Sequence, residues 1–347
     1  MDSLYKTLTI HHIQEEVKGF KTFAFAPAAN NLVTYEPGQY LTLVFRRDQA
    51  EIRRSYSITS TPVLPEPLTI GVKRIENGLV SRQLIDQAQP GDQVLTIGAG
   101  GFFTLPININ AYKQIFFLAA GSGITPIYSL IKTILYTQPT IAIVLIYSNH
   151  SAERTVFKEA LQQLAQAFPE RFQIEFIYSN AADLSRAHLH KNLLKIFLAQ
   201  YAIATPTELL VYVCGPLNYM RMCTYALREV GVPAANIRKE NFSTEKTFAP
   251  LLPPDIDKHT VNLLYRNQGF TLPVQYPVNI LQAAKKAGII LPYSCEAGRC
   301  GNCVARCTSG QVWHSYNEVL TDKELASGLV LTCVGYPVGG DVNLEII

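Results

Sequence analysis

The sequence predicts a multidomain α+β chain: an antiparallel β-barrel, then an α/β parallel-sheet domain, then a small β-grasp domain. Three observations predict it. Residues 1–108 are short β-prone runs broken by turn residues, and residues 109–242 alternate β-runs with helical segments. Near the C-terminus two strands and a helix lead into Pro292–Cys307, which reads P-Y-S-C-E-A-G-R-C-G-N-C-V-A-R-C. At 347 residues the chain has room for two to three such domains.

In the first segment the runs Thr7–Val17, Lys21–Phe25, Tyr40–Phe45, Ser55–Ser60, Leu68–Arg74 and Gln93–Ile97 are expected strands. Pro37-Gly38, Pro62, Pro65, Asn77-Gly78 and Pro90-Gly91-Asp92 punctuate them. One helix is expected at Val80–Ala88, where Val80, Leu84, Ile85 and Ala88 fall on one face. Along Arg53-Arg54-Ser55-Tyr56-Ser57, Arg54 and Tyr56 share a strand face and Ser57 takes the other. An arginine fork suits a pyrophosphate, and a tyrosine ring offers a stacking surface to a flat cofactor. Any half-solvated strand shows the same alternation, so this run leaves both readings open. Gly78-Leu79-Val80-Ser81 opens the helix, where backbone N–H groups at its positive end suit a phosphate. Gly98–Phe103 closes the segment as a glycine-rich turn.

In the second segment Ile115–Ala119 leads into Gly121-Ser122-Gly123-Ile124-Thr125-Pro126 and a helix from about Ile127 to Tyr136. A strand ending in small residues at a helix N-terminus is a cradle for a dinucleotide pyrophosphate. The G-x-G-x-x-G fingerprint is absent, so an ordinary Rossmann dehydrogenase is not expected. Ile141–Tyr147, Gln173–Ser179 and Glu208–Val213 are the further strands, with helices reaching Phe168, at His188–Tyr201 and at Asn218–Val230. The last strand ends at Cys214-Gly215-Pro216, at the carboxyl edge where ligands of open α/β sheets bind. A buried small hydrophobe is the plainer reading of Cys214, and core packing that of Cys223. Arg238–Phe242 closes the segment.

Residues 243–258, with three prolines and little periodicity, read as a semi-rigid linker. Thr260–Tyr265 and Phe270–Gln275 form an expected hairpin around Asn267-Gln268-Gly269, and Asn279 caps a helix that stops at Gly288. Cys295, Cys300 and Cys303 then follow as C-x-x-x-x-C-x-x-C, and Cys333 comes after 29 intervening residues on the run Leu329–Cys333. That spacing is the ligand pattern of a plant-type [2Fe–2S] centre, three thiolates from one loop and one from a strand end. A structural zinc site is the competing reading, although zinc sites usually repeat C-x-x-C on both sides. Gly298 and Gly301 sit where the loop must turn sharply and let backbone N–H groups approach sulfur. Cys307 reads as a strand residue, Trp313 as packing, and His11, His12 and His314 have no partner at ligand spacing.

Charge excludes some partners. Thirty Lys/Arg against 27 Asp/Glu give a net charge of +3, which points to neither nucleic acid nor an anionic membrane surface. No apolar run approaches the roughly 18 residues of a membrane span, and no signal-peptide core is present at the N-terminus. Seven cysteines, four of them in one pattern, suit a reducing compartment, so a cytoplasmic protein is expected.

Together these motifs resemble the ferredoxin–NADP reductase superfamily with a C-terminal plant-type ferredoxin domain, over nearly the whole chain. The carriers are Arg54-Ser55-Tyr56-Ser57, Gly78–Ser81, Gly121–Pro126, Cys214-Gly215-Pro216, Glu240–Phe242 and the four cysteines. Within that superfamily L-P-Y-S-C-x-x-G-x-C-G-x-C is similar to oxygenase reductases of the phenylacetyl-CoA epoxidase kind. The resemblance implies a flavin-binding barrel (1–108), an NAD(P)-binding domain (109–242), a linker (243–258) and a [2Fe–2S] ferredoxin-like domain (259–347). It implies that Arg54 binds the FAD pyrophosphate, Tyr56 packs on the flavin ring, Ser57 bonds near flavin N5, and Gly78, Leu79, Val80 and Ser81 hold phosphate. Gly121, Gly123, Thr125 and Pro126 would hold the nicotinamide nucleotide, with Cys214, Gly215 and Pro216 beside the nicotinamide. Glu240 and Phe242 match the family's terminal acid and aromatic, although 105 residues follow Phe242 here. Arg154, after the second strand with Ser148-Asn149-His150, would meet a 2′-phosphate, which favours NADPH over NADH.

The implied activity is hydride transfer from NAD(P)H to FAD, then single electrons through the cluster to an acceptor protein, most simply an oxygenase component. Alternatives are a stand-alone reductase of ferredoxin, flavodoxin or a hybrid-cluster protein, and an electron-transfer or redox-sensing subunit without turnover. The last would need a damaged nucleotide site, whereas Gly121–Pro126 and Cys214–Pro216 are intact.

Overall fold

The structure is a computed structural model that describes residues 4–47, 50–243 and 251–347. The chain divides between Asn241 and Phe242 into two compact units.

The first unit begins with β1 (Lys6–Val17), β2 (Phe20–Phe25), α1 (Ala28–Leu32), β3 (Tyr40–Arg47), β4 (Ala50–Ser57), β5 (Thr69–Lys73), α2 (Leu79–Gln87) and β6 (Gln93–Gly100). The six strands form an antiparallel sheet in the order β4-β3-β6-β1-β2-β5. A bridge between Ile58 and Ile70 joins the chain leaving β4 to β5, so the two edges meet and the sheet curls into the expected barrel. Leu8, Ile10, Phe23, Phe25, Leu41 and Leu43 fill its interior from alternate positions of β1, β2 and β3. The strand expected over Ser55–Ser60 lies earlier in the chain, at Ala50–Ser57; the residues after Ser57 turn to serve another contact described below.

The same unit continues with β7 (Gln114–Ala120), α3 (Ile124–Thr137), β8 (Ala142–Asn149), α4 (Lys158–Ala167), β9 (Phe172–Tyr178), α5 (Lys191–Tyr201), β10 (Leu209–Cys214), α6 (Leu217–Glu229) and β11 (Ile237–Glu240). Its sheet is parallel, in the order β11-β10-β7-β8-β9. Helices cover both faces, so β7 is apolar from Ile115 to Ala120. Ile115, Phe117 and Ala119 enter one core with α3, and Phe116 and Leu118 enter the other with α5 and α6, where Cys223 is also buried. Helix α3 starts three residues before the expected Ile127, because Pro126 sits in its first turn, where its missing N–H costs nothing.

The second unit holds β12 (His259–Tyr265), β13 (Gln268–Val274), α7 (Ile280–Lys286), β14 (Val304–His314), α8 (Asp322–Ala326), β15 (Leu329–Leu331) and β16 (Gly335–Ile346). The mixed sheet runs β13-β12-β16-β14-β15, with β12 and β16 parallel. The β12–β13 turn is Arg266-Asn267, both at positive φ, one residue earlier than expected. Asn279 caps α7 as expected, in a capping box with Gln282. Of the expected linker, residues 244–250 lie outside the described residues. Its end is held by the second unit: the Asp255 carboxylate accepts from the Gly339 N–H at 2.7 Å and from the Asp257 N–H, which lowers its pKa to about 2.

Candidate active site

Strand β4 carries the first group of expected site residues. Tyr40 pairs with Ser57, Leu41 with Tyr56 and Leu43 with Arg54 across the β3–β4 ladder. Arg53 is buried in an ion pair with Glu51 at 2.5 Å, whereas Arg54 is exposed, its Nη1 donating to the Arg53 carbonyl at 2.7 Å. Of the two arginines, Arg54 is therefore the one able to meet an external anion. Tyr56 lies partly buried against the barrel core, and burial pushes its phenol pKa up; Ser57 is buried. At the start of α2, Ser81 Oγ accepts from the Ile75 N–H and donates to the Gly78 carbonyl. A Cβ on Gly78 would stand 2.4 Å from that oxygen, so glycine is required there. The Val80 side chain is in the core and Leu79 is exposed.

The second group gathers at the carboxyl ends of β7 and β10. Between these neighbours the connections leave to opposite faces of the sheet, which makes this the switch point of the topology. Two glycines let the ends touch. A Cβ on Gly123 would lie 2.1 Å from the Cys214 carbonyl oxygen, and one on Gly215 would lie 2.9 Å from the Ala120 Cβ. Gly121, at φ +55°, has open space around it, and Thr125 bonds back to the Ser122 carbonyl at 2.9 Å. Pro126 is buried under this turn and Pro216 is exposed at the head of α6.

Cys214 and Glu240 are register partners at the ends of β10 and β11. Nothing in the sequence marks that pairing, since the two stand 26 positions apart. Cys214 is fully buried, and burial together with the nearby Glu240 carboxyl pushes its thiol well above its ordinary pKa. Burial raises Glu240 to about 8, and its Oε2 has no hydrogen-bond partner among the described residues. Although the residue as a whole is half-buried, its carboxyl end is enclosed, which is what the raised pKa reflects. The acid is thus neutral at pH 7 and able to donate a proton or a hydrogen bond. The folded protein holds this proton between pH about 4.5 and about 8 while an unfolded chain has released it, so stability falls as pH rises through that window. Glu240→Gln is expected to flatten the fall in Tm between pH 5 and 8, as read by thermal unfolding of the holoprotein. An unchanged slope would locate the effect in another group.

Phe242 is 45% exposed and begins the second unit. Arg154 is exposed in a short 3₁₀ turn after β8, and His150 beside it shares a hydrogen bond with Ser179.

The third group is the cysteine loop. The thiols fall into two pairs. Cys300 donates to Cys295, whose pKa drops to about 6, and Cys333 donates to Cys303, which is also lowered. Glu296, Gly298 and Gly301 all have positive φ and turn the loop's amides inward. The N–H groups of Ala297, Arg299 and Cys300 face the Cys295 sulfur, that of Asn302 faces Cys300, and that of Gly298 faces Cys333. A Cβ on Gly298 would sit 2.7 Å from the Tyr316 carbonyl. Asn279 ties Cys333 down by donating to its carbonyl at 2.8 Å, and the Thr332 N–H donates to the Cys303 carbonyl at 3.1 Å. Among the described residues no three His, Cys, Asp or Glu side chains are placed around a single metal ion. Two thiol pairs inside a basket of N–H donors fit a dianionic two-iron cluster, each iron taking two sulfurs. They do not fit a tetrahedral zinc cage. Sequence reasoning missed Arg299, which is buried in this loop, pairs with Glu318 at 3.1 Å and donates to the Ser243 carbonyl. His314 accepts from the Leu331 N–H at 2.9 Å, and burial lowers its pKa to about 4.

Comparison with known proteins decides the family. Residues 7–104 match the oxidoreductase FAD-binding domain, 117–224 the oxidoreductase NAD-binding domain and 265–338 the 2Fe-2S iron-sulfur cluster binding domain. The chain is 31% identical to a component protein of the 1,2-phenylacetyl-CoA epoxidase of Escherichia coli K12, over 98% of this chain and 97% of that one. The chain belongs to the ferredoxin reductase-like oxidoreductases related to oxygenase reductase components. It is also 30% identical to the ferredoxin reductase component of 3-ketosteroid-9-alpha-monooxygenase of Mycolicibacterium smegmatis, over 97% of this chain and 96% of that one. Phthalate dioxygenase reductase shares the fold from end to end, with 98% of each chain covered, 24% identity and a TM-score of 0.59. An intact type IV self-sufficient cytochrome P450 monooxygenase matches 98% of this chain within 41% of its own, with 21% identity and a TM-score of 0.71. The protein is thus an oxidoreductase that uses FAD, NAD(P)H and a 2Fe–2S centre. No helix among the described residues is long and apolar enough to cross a membrane.

Proposed function

We propose that the chain is the reductase component of a multicomponent oxygenase of the phenylacetyl-CoA epoxidase kind, taking electrons from NADPH and delivering them to the oxygenase protein. The pairing of Cys295 with Cys300 and of Cys303 with Cys333 carries this reading, because it equips a flavin and nucleotide unit with a one-electron outlet. When bound, FAD accepts a hydride from NADPH and the cluster passes electrons on singly. The chain's own residues bind and orient. Exposed Arg54 holds the FAD pyrophosphate, Tyr56 gives the flavin a packing surface, and Ser57 offers its hydroxyl toward flavin N5. The N-terminus of α2, Gly78 to Ser81, takes phosphate through backbone N–H groups.

Gly121, Gly123, Thr125 and Pro126 shape the nucleotide cradle, with Gly215 and Pro216 as its opposite wall. Cys214 presents a neutral thiol beside the nicotinamide, and neutral Glu240 keeps a proton within that pocket. A cytoplasmic location belongs to the same proposal, supported by seven free cysteines.

Measurement of iron, sulfide and flavin in the purified protein tests the reading; two irons and one flavin per chain are expected, and zinc in their place would overturn it. The nucleotide preference rests on Arg154. Arg154→Ala is expected to lower kcat/KM for NADPH by roughly tenfold while leaving NADH nearly unchanged, since a surface arginine–phosphate pair contributes on the order of 1.4 kcal/mol. An unaltered NADPH/NADH ratio would remove Arg154 from the site.

A further inference from the structure

One face of α3 carries an unusual load for a helix in the middle of an α/β domain. Thr125, Ser129, Lys132 and Thr133 stand at i, i+4, i+7 and i+8, so they share a face, and all four are buried. That face does not look toward the parallel sheet; it meets the barrel, at the segment that leaves the β4 flavin strand. Ser129 Oγ donates to the Ser60 carbonyl at 2.6 Å. Thr133 gives its hydroxyl proton to the Ser129 carbonyl, so the 2.7 Å contact between Thr61 and Thr133 is a bond that Thr61 donates. Lys132 Nζ reaches both Glu66 oxygens, at 2.6 and 2.8 Å, and Glu66 Oε1 also accepts the Thr61 N–H at 2.7 Å. The Lys132 ammonium lies 4.6 Å from the centre of the Tyr128 ring. The Thr125 methyl occupies the space a side chain on Gly71 of β5 would need, at 2.8 Å.

The placement of these bonds along the chain gives them meaning. Ser60 and Thr61 are three and four residues beyond Ser57, and Ser60 is itself fixed by Tyr35 and by the Thr69 N–H. At the other end, Thr125 lies two residues beyond Gly123, in the turn that forms the nucleotide cradle. The seam thus connects the end of the flavin strand to the head of the nucleotide helix by short covalent paths. An apolar seam would hold two domains together as firmly, but apolar contacts slide. Directional bonds with an ion pair whose lysine is buried and whose carboxylate is half-buried favour one register.

We propose that the Ser129, Lys132 and Thr133 face of α3, with Ser60, Thr61 and Glu66, is a positioning clamp that sets the nucleotide cradle relative to the flavin strand. Lys132 and Glu66 are positioning residues that touch neither cofactor. This rests on the flavin and nucleotide sites assigned above.

Stopped-flow reduction of the holoenzyme by NADPH and by 4-deuterated NADPH tests the clamp, together with the long-wavelength absorbance of nicotinamide stacked on flavin. In Lys132→Met, FAD and iron content should stay at wild-type levels and KM should change less than about threefold. The flavin reduction rate should fall by about tenfold or more, in keeping with the sensitivity of transfer to misplacement on the order of 1 Å. The stacking absorbance should weaken, and Lys132→Arg should recover both. A folded Lys132→Met that lowers Tm but leaves the reduction rate, isotope effect and stacking absorbance intact would overturn the clamp. If Lys132→Met does not fold, Ser129→Ala and Thr133→Val leave no charge unpaired and are held to the same readings. Should wild-type flavin be reduced by neither NADPH nor NADH, the site assignment fails, which is a separate result.

Discussion

Cys300→Ser is expected to abolish NAD(P)H-driven reduction of cytochrome c, a one-electron acceptor, while leaving ferricyanide reduction largely intact. Cys300 is paired with Cys295, and in the proposed cluster its loss would leave one iron a thiolate short. Even loss of a partner that only supports a ligand typically costs about ten- to a hundredfold in metal affinity, so loss of the ligand should cost about a hundredfold or more. Ferricyanide can draw electrons at the flavin, whose residues lie in the other unit. The comparison therefore separates outlet from source. Equal loss of both activities would mean that the loop is structural and that electrons leave elsewhere.

The second large effect is expected at Gly123. Its missing Cβ would be 2.1 Å from the Cys214 carbonyl oxygen and 2.5 Å from the carbonyl carbon, and both are backbone atoms at a strand end. Neither can rotate away. To reach a normal contact, the end of β10 or the head of α3 must move by about 1 Å, and misplacement of that size can cost about a hundredfold in transfer rate. Gly123→Ala should lower both ferricyanide and cytochrome c reduction by that factor, in contrast to Cys300→Ser, and should cost roughly 1–3 kcal/mol of stability as an overpacked site does. Gly91→Ala, in a turn of the barrel outside the assigned site residues, is the control. It has open space and only the left-handed φ to accommodate, about 1–2 kcal/mol, so its rate should stay within a few-fold of wild type. Matching rates in Gly123→Ala and wild type would show that the two strand ends do not need to touch.

Much of this was legible in the chain because glycine and cysteine spacing records backbone constraints directly. The barrel, the parallel sheet and the mixed sheet with its capped helix were all readable from turn residues and from the change between alternating and continuous apolar runs. The expectation that Cys307 is a strand residue also holds, in β14. The full length of that strand and of β16 is not legible. Each carries glycine and polar residues, and two register shifts between them break the period of two on which recognition depends. Helices α1 and α8, five residues each, are too short to show a face. The pairing of Cys214 with Glu240 and of Lys132 with Glu66 could not be read, since each depends on which strands and faces become neighbours. The chain marks Glu240 by position alone, and only the structure reveals that its Oε2 is buried without a hydrogen bond among the described residues.

The parallel pairing of β12 with β16 bears on how such a chain can be assembled from parts. The first and last strands of the second unit are neighbours, and Cys295, Cys300, Cys303 and Cys333 lie between them in the chain. Chain enters at one end of this strand pair and leaves at the other, roughly 20 Å away at about 3.3 Å per residue. Both are interior strands of the sheet, and the two ends of the chain leave that pair on opposite sides. A gene fusion that keeps Ser243, whose carbonyl accepts from Arg299 of the cysteine loop, would leave these contacts in place.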